Sequence, residues 1–472
     1  MKENDELIVK IEKFSNLGTG IAKVDGQVVF VENACPEDEV KIKINKVNKN
    51  YATAKTLEVI TPSKHRVEPF CPMQKVCGAC QLQFIDYEYQ LELKKQIVED
   101  TMRTIGHITT PVNTPIASPQ INNYRHKIQY PVSQRKEGRI VAGYYKPQSH
   151  DIVNIKYCPI QPELCDEIID FIRDNAPEFE ITGFYEKKHT GDLRHVVIRC
   201  AADKYLVTLV VNALAPTPSL PHRRGGNFHN RLNKFAKSIY ENFEKITGVC
   251  VNFNSKKTNV ILGQNTICIC GQDFVEEKII DKTFKIGADT FFQVNPRSAE
   301  NIFKYVKDEI SKHENPTVLD AYAGIATFGI VVSDVAEKVV SVEENVSSIE
   351  KAKEVLKANN ITNVELYAQD TTKYLKSIKR KFDIAILDPP RKGCTQEALD
   401  EVLKHMKRNP SSAGGPPPLT SGGKIVYVSC NPATLARDLK YLVEKGCTVE
   451  SIQPFDMFCH TYHIENVVIL NV

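Results

Sequence analysis

Cys430 stands where a thiol could act as a nucleophile. In "IVYVSCNPATLARDL" (residues 425–439) β-branched and aromatic residues run into Ser429, Cys430, Asn431 and Pro432, and helical spacing follows from Leu435 to Leu442. A thiol between a strand and a helix N-terminus feels the positive end of the helix dipole, which favours the thiolate. Cys394 and Cys459 are rivals nearby. A second set of thiols has metal-ligand spacing. "FCPMQKVCGACQLQF" holds Cys71, Cys77 and Cys80 as C-x5-C-x2-C, and "KYCPI" supplies Cys158 as a natural fourth, with Cys165 an outside candidate. Such spacing lets sulfurs converge on one zinc ion or one iron–sulfur cluster.

A ligand site is written in a turn and three acids. "VLDAYAGIATFG" (318–329) reads as a strand, a turn of small residues and a helix start. Ala323, Gly324 and Ala326 let backbone approach a ligand closely. The turn is neither G-x-G-x-x-G nor a glycine-lysine phosphate loop. Glu343, 19 residues after Gly324, then Asp370 and Asp388 end the next three predicted strands. Glu343 is placed to bind two ribose hydroxyls, and Asp370 to accept from an adenine amino group. Three carboxylates would repel a pyrophosphate but tolerate a cofactor with a positive centre. S-adenosylmethionine therefore fits better than a dinucleotide. Radical enzymes that use that cofactor carry C-x3-C-x2-C and leave one iron open; the longer first gap and the fourth cysteine here argue against that chemistry.

The elements that must hold these residues follow from periodicity. From Pro316 onward, strands "TVLDAYAG", "KVVSVEEN", "NVELYAQD", "FDIAILDPP" and "KIVYVSC" alternate with helices 346–358, about 371–377, 396–406 and 433–445, before "CTVESIQPFD" and "NVVILNV" close the chain. Alternation of this kind predicts an open, mostly parallel α/β sheet with ligands at the carboxyl ends of its strands, which places Cys430 in the crevice. Residues 5–60 read as short strands with turn signals, hence a small antiparallel barrel. Its Lys41, Lys43, Lys46, Lys49 and Lys55, with Tyr51 among them, suit RNA contact; a solvated strand face is the plainer reading. A helix is predicted at about 86–104, and residues 120–285 mix strands and helices. "LAPTPSLPHRRGGN" (214–227) and "NPSSAGGPPPLTSGG" (409–423) cannot build a core and read as flexible surface loops.

The totals set bounds. The 472 residues suggest two to four domains, and 42% apolar content supports real cores. A net charge of +3 neither demands nor excludes nucleic acid. The first residues, "MKENDELIVKIEKF", show no apolar signal segment, and no run approaches the roughly 18 apolar residues of a membrane span. The 14 cysteines are therefore expected in a reducing cytoplasm, as thiols, ligands or nucleophiles. A monomer acting away from membranes is expected.

"DAYAG", "VEEN", "DPPRKGC", "FFQVNP", "YVSCNPATLARDL" and "FDMFCHTYHIENVVIL" together resemble the RNA uridine-C5 methyltransferase family, and residues 1–60 resemble its TRAM domain. The resemblance implies a TRAM-like, OB-like barrel at 1–62, a mixed α+β central domain at 63–285 with the cysteine cluster and an RNA surface, and a Rossmann-like methyltransferase domain at 286–472. It implies Cys430 as the nucleophile that attacks C6 of uracil and Glu465 as the base that removes the C5 proton. It implies Gln293 and Tyr322 in the cofactor pocket, and Asp388 either on the cofactor or accepting from uracil N3–H. By resemblance Cys71, Cys77, Cys80 and Cys158 hold a closed [4Fe–4S] cluster, with zinc as the physical alternative. His460 and His463 could orient base or substrate. Arg125, Lys127 and Arg194 fall in segments similar to those near the RNA path. The family usually has proline where Cys459 stands and threonine where Asn466 stands. Family members with both barrel and cluster act mostly on 23S rRNA, so that substrate is expected, with tRNA second. A non-catalytic RNA-binding or chaperone module is the reading from another class; it would make Cys430 and Glu465 dispensable.

Overall fold

The computed structural model describes residues 1–215, 226–407 and 422–472; the expectations for the two Pro/Gly-rich inserts fall largely outside these. Alternating apolar residues in the first 61 positions curl six strands around one small core. The strand order is Glu6–Lys10, Glu39–Val47, Tyr51–Thr61, Gln27–Glu32, Gly20–Val24, Lys13–Phe14. All pairs are antiparallel except Gln27–Glu32 with Tyr51–Thr61. Register shifts in the long central pair bend the sheet, and Val29, Val31, Ile42, Ile44 and Ala54 are fully buried inside it. Asp38, also fully buried, ties the barrel to the next segment. It accepts from Cys35 N at 2.6 Å, Ser63 N at 2.8 Å and Arg66 Nε at 2.9 Å.

The middle of the chain forms a six-stranded sheet in the order Asn265–Gly271, Ile246–Phe253, Lys204–Val211, Leu193–Ala201, Lys127–Gln134, Ile140–Ala142. The helices Glu163–Asn175 and Gly226–Asn242 share its core.

The C-terminal sheet has seven strands in the order Val364–Ala368, Lys338–Glu343, Thr317–Ala321, Ile384–Leu387, Lys424–Ser429, Glu465–Asn471, Thr448–Phe455. The first five pair in parallel, and Glu465–Asn471 runs antiparallel to both its neighbours. The parallel strands are covered on both faces, which is why they read as near-continuous apolar runs. Short polar residues start the helices that follow. Asn345, Asp370, Thr395 and Asn431 each accept from a backbone amide of the first turn.

A helix from outside this sheet packs against it. Tyr87–Thr101 begins at Asp86, whose side chain accepts from Tyr89 N. It ends earlier than the expected 104 because the chain widens into a looser turn at Met102–Gly106 and stops at His107, in the left-handed region. Lys94 on this helix pairs with Asp456 at 2.6 Å, both fully buried, and also donates to Phe458 O at 3.0 Å. Tyr87 Oη donates to the other Asp456 oxygen at 2.7 Å. Residues 112–116 then lie beside the Thr448–Phe455 edge strand, through bridges of Val112 with Ile452 and Ile116 with Phe455.

Candidate functional site: a cleft at the carboxyl ends of the C-terminal strands

The strand Thr317–Ala321 feeds a tight turn in which Tyr322, Gly324 and Ala326 take φ of +60°, +57° and +59°. Two non-glycine residues in the left-handed region within five positions mark a locally strained backbone, held by its surroundings. Glu343 does part of the holding. Its Oε2 accepts from Gly324 N at 3.0 Å and its Oε1 from Asn345 N at 2.9 Å. A Cβ on Gly324 would meet no protein atom, so the space beside it is open to a ligand.

Gln293, Tyr322, Glu343, Asp370, Asp388, Cys430 and Glu465 all line one cleft of about 1950 Å³. Asn295 fixes the segment carrying Gln293. Its Nδ2 donates to Ser118 Oγ at 3.0 Å and Met457 O at 3.2 Å. Asp370 spends one oxygen on Lys373 N at 3.0 Å, which leaves the other for a ligand. Asp388 is half-buried beside another acid. Burial, then the neighbouring Asp320 charge, push its carboxyl up to about 7. Asp320 itself is held at about 7 by burial, although Ser341 Oγ and Gly329 N donate to it.

The strand register brings Cys430 and Glu465 together. Ser429 pairs with Asn466 across the antiparallel strands, so the next step outward sets residue 430 against residue 465. Asn466 Nδ2 donates to Ser429 O at 3.3 Å and closes that end. Asn431 accepts from Ala433 N at 3.1 Å and starts the helix Pro432–Glu444. The helix N-terminus does not by itself make a thiolate, contrary to expectation. Burial first, and the Glu465 carboxylate second, push the Cys430 thiol up to about 11, against the lowering pull of Arg391. Glu465 is raised well above the usual carboxylate range by burial and by Asp388, and again Arg391 opposes the shift. Arg391 also lines the cleft with Cys430. It is the nearby cation that the sequence reading passed over, although it stands three residues after Asp388 in "DPPRKG".

The rivals have other duties. Cys394 is buried, and its thiol receives Tyr427 Oη at 3.5 Å. Cys459 is fully buried near Tyr87 Oη and Gln120 O. His460 is buried, with Nε2 3.2 Å from Ile121 O and Nδ1 3.3 Å from Gln90, so its role is structural. Arg194 is not a phosphate contact. It is buried, donates to Asn254 O and Lys256 O, and its guanidinium covers the Phe184 ring. Arg125 lies over Tyr144 beside the thiols of Cys77 and Cys80. Lys127 is half-buried, and burial beside Arg199 and Arg125 lowers its ammonium to about 7.

Cys71, Cys77, Cys80 and Cys158 do line one small cavity, of about 20 Å³. Cys165 does not join them; its sulfur lies 3.3 Å from that of Cys200. Among the described residues, however, no group of three or more His, Cys, Asp or Glu side chains is arranged to hold a metal ion. The expectation of a metal site thus meets a gathering of thiols rather than a closed coordination shell. A mononuclear zinc site needs four sulfurs roughly 3.8 Å apart, given Zn–S of about 2.3 Å and tetrahedral geometry.

The family described as tRNA (Uracil-5-)-methyltransferase matches residues 227–472, and the TRAM domain matches residues 2–57. The chain belongs to the tRNA (uracil-5-)-methyltransferase family. Relatives span its full length. An uncharacterized RNA methyltransferase of Clostridium tetani is 35% identical, over 100% of this chain and 97% of its own. One of Bacillus cereus is 35% identical, over 99% and 97%. Among solved structures, the tRNA (uracil-54, C5)-methyltransferase of Pyrococcus abyssi, in complex with S-adenosyl-L-homocysteine, is similar at a TM-score of 0.73 and 26% identity. The match covers 98% of this chain and 100% of that one. As a family member the chain is an RNA methyltransferase that depends on S-adenosylmethionine, with a TRAM domain and a Rossmann-like α/β domain. Among the described residues no helix is long and apolar enough to cross a membrane.

Proposed function

We propose that this protein methylates C5 of a uridine in structured RNA through a transient bond between Cys430 and C6, with 23S rRNA as the substrate. The observation that carries the reading is the meeting of Cys430, Glu465, Asp388 and Arg391 at one end of the cleft whose other end offers Glu343 and Asp370. S-adenosylmethionine, when bound there by Glu343, Asp370, Tyr322 and Gln293, supplies a methyl group on a sulfonium centre. The surrounding carboxylates favour that positive charge.

C5 of uracil is a weak nucleophile. Cys430 loses its proton to solvent, and its sulfur bonds to C6; the C5–C6 π pair moves into the ring carbonyl as an enolate. Arg391 stabilises the thiolate and Asp388 accepts from N3–H, which fixes the ring. The enolate pair would then form the C5–methyl bond as the bond from that methyl to the donor sulfur broke, leaving a neutral thioether. Glu465, having lost its own proton to solvent beforehand, takes the C5 proton, the C6–S bond breaks, and the thiolate returns to Cys430. The target base must leave its stack to reach this position.

Four thiols around one cavity beside the Arg125 cation suit an anionic [4Fe–4S] cluster better than a zinc ion, because each sulfur of a cluster binds a different iron and the sulfurs can stand farther apart. Cys71, Cys77, Cys80 and Cys158 would hold it and so pin residues 71–80 to the central domain. The cluster takes no part in methyl transfer. Cytoplasmic RNA and a reducing compartment agree with this set of thiols.

A tRNA substrate is the second reading, favoured by the full-length similarity to the P. abyssi tRNA enzyme. Mapping 5-methyluridine in total RNA from cells with and without the gene tests both. Loss at a 23S rRNA uridine is expected; loss only in tRNA selects the second reading, and no loss anywhere ends both.

A further inference from the structure

A second cavity, of about 200 Å³, adjoins the cleft and shares Cys430 and Arg391 with it. The mechanism above makes no use of it. Asn16 and Leu17 from the N-terminal barrel, and Tyr462 and His463 from the loop before Glu465, form its other walls.

The barrel tip is pre-organised. Ser15, 4% exposed, accepts with its hydroxyl from Leu17 N at 3.2 Å and Thr19 N at 3.1 Å, and meets the Thr19 hydroxyl at 2.7 Å. Backbone bonds from Ser15 N to Thr19 O and from Gly18 N to Ser15 O complete the turn. Gly18 takes φ of +77°, and a Cβ there would lie 2.7 Å from the Tyr462 ring. The tip is thus seated on Tyr462, whose other neighbour is His463 at 4.3 Å between ring centroids. Leu17, 64% exposed, is held out at the cavity rim by this rigid turn. A large apolar side chain costs little there if a flat apolar group covers it. Burial and the Arg391 charge lower His463 to about 4, which leaves a neutral ring as a stacking surface at physiological pH.

We infer that this cavity receives the base of the nucleotide next to the target uridine, covered by Leu17 and stacked against Tyr462 and His463, with its phosphate toward Arg391. The inference rests on the proposed entry of a flipped uridine at Cys430. Extrusion of one base strips its neighbour of a stacking partner, and the shared wall at Cys430 and Arg391 sets the cavity beside the reacting sulfur. Side-chain stacking on bases is tolerant of sequence; the Asn16 amide supplies a group that can read a base edge.

The test uses the full-length protein with Leu17 replaced by p-azidophenylalanine, and total RNA from a strain lacking the gene as the probe. Photocrosslinks are mapped by reverse-transcription stops, and 5-methyluridine formed by the unmodified protein is mapped in the same RNA. Crosslinks within two nucleotides of one uridine are expected. In parallel, Leu17→Ala is expected to raise KM for that RNA about tenfold with a smaller change in kcat, and Leu17→Phe to restore it. Scattered crosslinks, or a KM for Leu17→Ala within twofold of the unmodified protein, overturn the inference. The two failures are separable. Focused crosslinks without 5-methyluridine keep the cavity and end the proposed activity, whereas 5-methyluridine with scattered crosslinks does the reverse.

Discussion

Cys430 and Glu465 face each other at the open end of an antiparallel strand pair, one step beyond the Ser429–Asn466 register pair. Their proximity is fixed by sheet hydrogen bonding rather than by loop conformation, and Glu465 raises the pKa of Cys430. The carboxylate discourages the thiolate, and the acids around Glu465 discourage its own ionisation. Nucleophile and base are therefore both poised to hold protons until a substrate changes their surroundings.

Separation of the two roles follows directly. Cys430→Ala is expected to abolish methyl transfer and the denaturation-resistant adduct formed with 5-fluorouridine RNA. Glu465→Gln should slow turnover by about 10²–10⁴-fold, the usual worth of a positioned acid–base group, while ordinary uridine RNA accumulates as a covalent complex. Gel mobility after denaturation reads both; full turnover by Cys430→Ala would refute the mechanism.

Arg391 makes the pH dependence predictable in sign. Its charge lowers the Cys430 thiol, which burial and Glu465 nevertheless leave at about 11. Arg391→Met should raise that value further, so the thiolate fraction at neutral pH falls and the rising limb of the rate moves to higher pH. The alkylation rate of the free protein by iodoacetamide across pH 7–11, compared with a Cys430→Ala background, measures the shift.

Asp388 sets function against stability. Its folded value of about 7 lies above that of an unfolded aspartate, so the folded state binds the extra proton. The resulting destabilisation grows as pH rises from about 4 to 7 and is complete above that. Asp388→Asn should raise the melting temperature by a few degrees at pH 8, change it little at pH 4, and lower methyl transfer at least 10²-fold. Scanning calorimetry at the two pH values checks the sign.

The buried Lys94–Asp456 pair predicts a large structural effect. Lys94→Met leaves a buried carboxylate with only Tyr87 as donor, at a cost of about 3–5 kcal/mol. The double variant Lys94→Met, Asp456→Asn should recover part of the loss. Thermal unfolding midpoints of the unmodified protein, each single variant and the double variant give the coupling.

The cysteine cavity is tested by composition. Protein prepared without oxygen should contain iron and acid-labile sulfide and absorb in the visible, and Cys77→Ser should lose both. A colourless preparation with zinc would reject the cluster.

The C-terminal sheet was legible because strand and helix periods alternate cleanly, and strand ends are where acids and a thiol become readable as a site. The side chains that position the site were harder to see. Lys94 looks like any helix lysine until Asp456, 362 positions away, is found against it. Arg194 looked like a surface cation because its acceptors, the carbonyls of residues 254 and 256, carry no side-chain signature. The thiol's upward shift was hidden for the same reason. Dipole and sequence neighbours suggested a thiolate, whereas burial and a carboxylate from another strand decide the outcome.

The seating of Gly18 on Tyr462 has a practical corollary for anyone seeking a smaller catalyst. A fragment cut at residue 286 would retain every acid of the cofactor cleft, yet its chamber would be missing a side, because that side is borrowed from the opposite end of the polypeptide. Miniaturisation would have to carry along the barrel and the helix that brings Ile97 and Thr101, or invent a substitute for them.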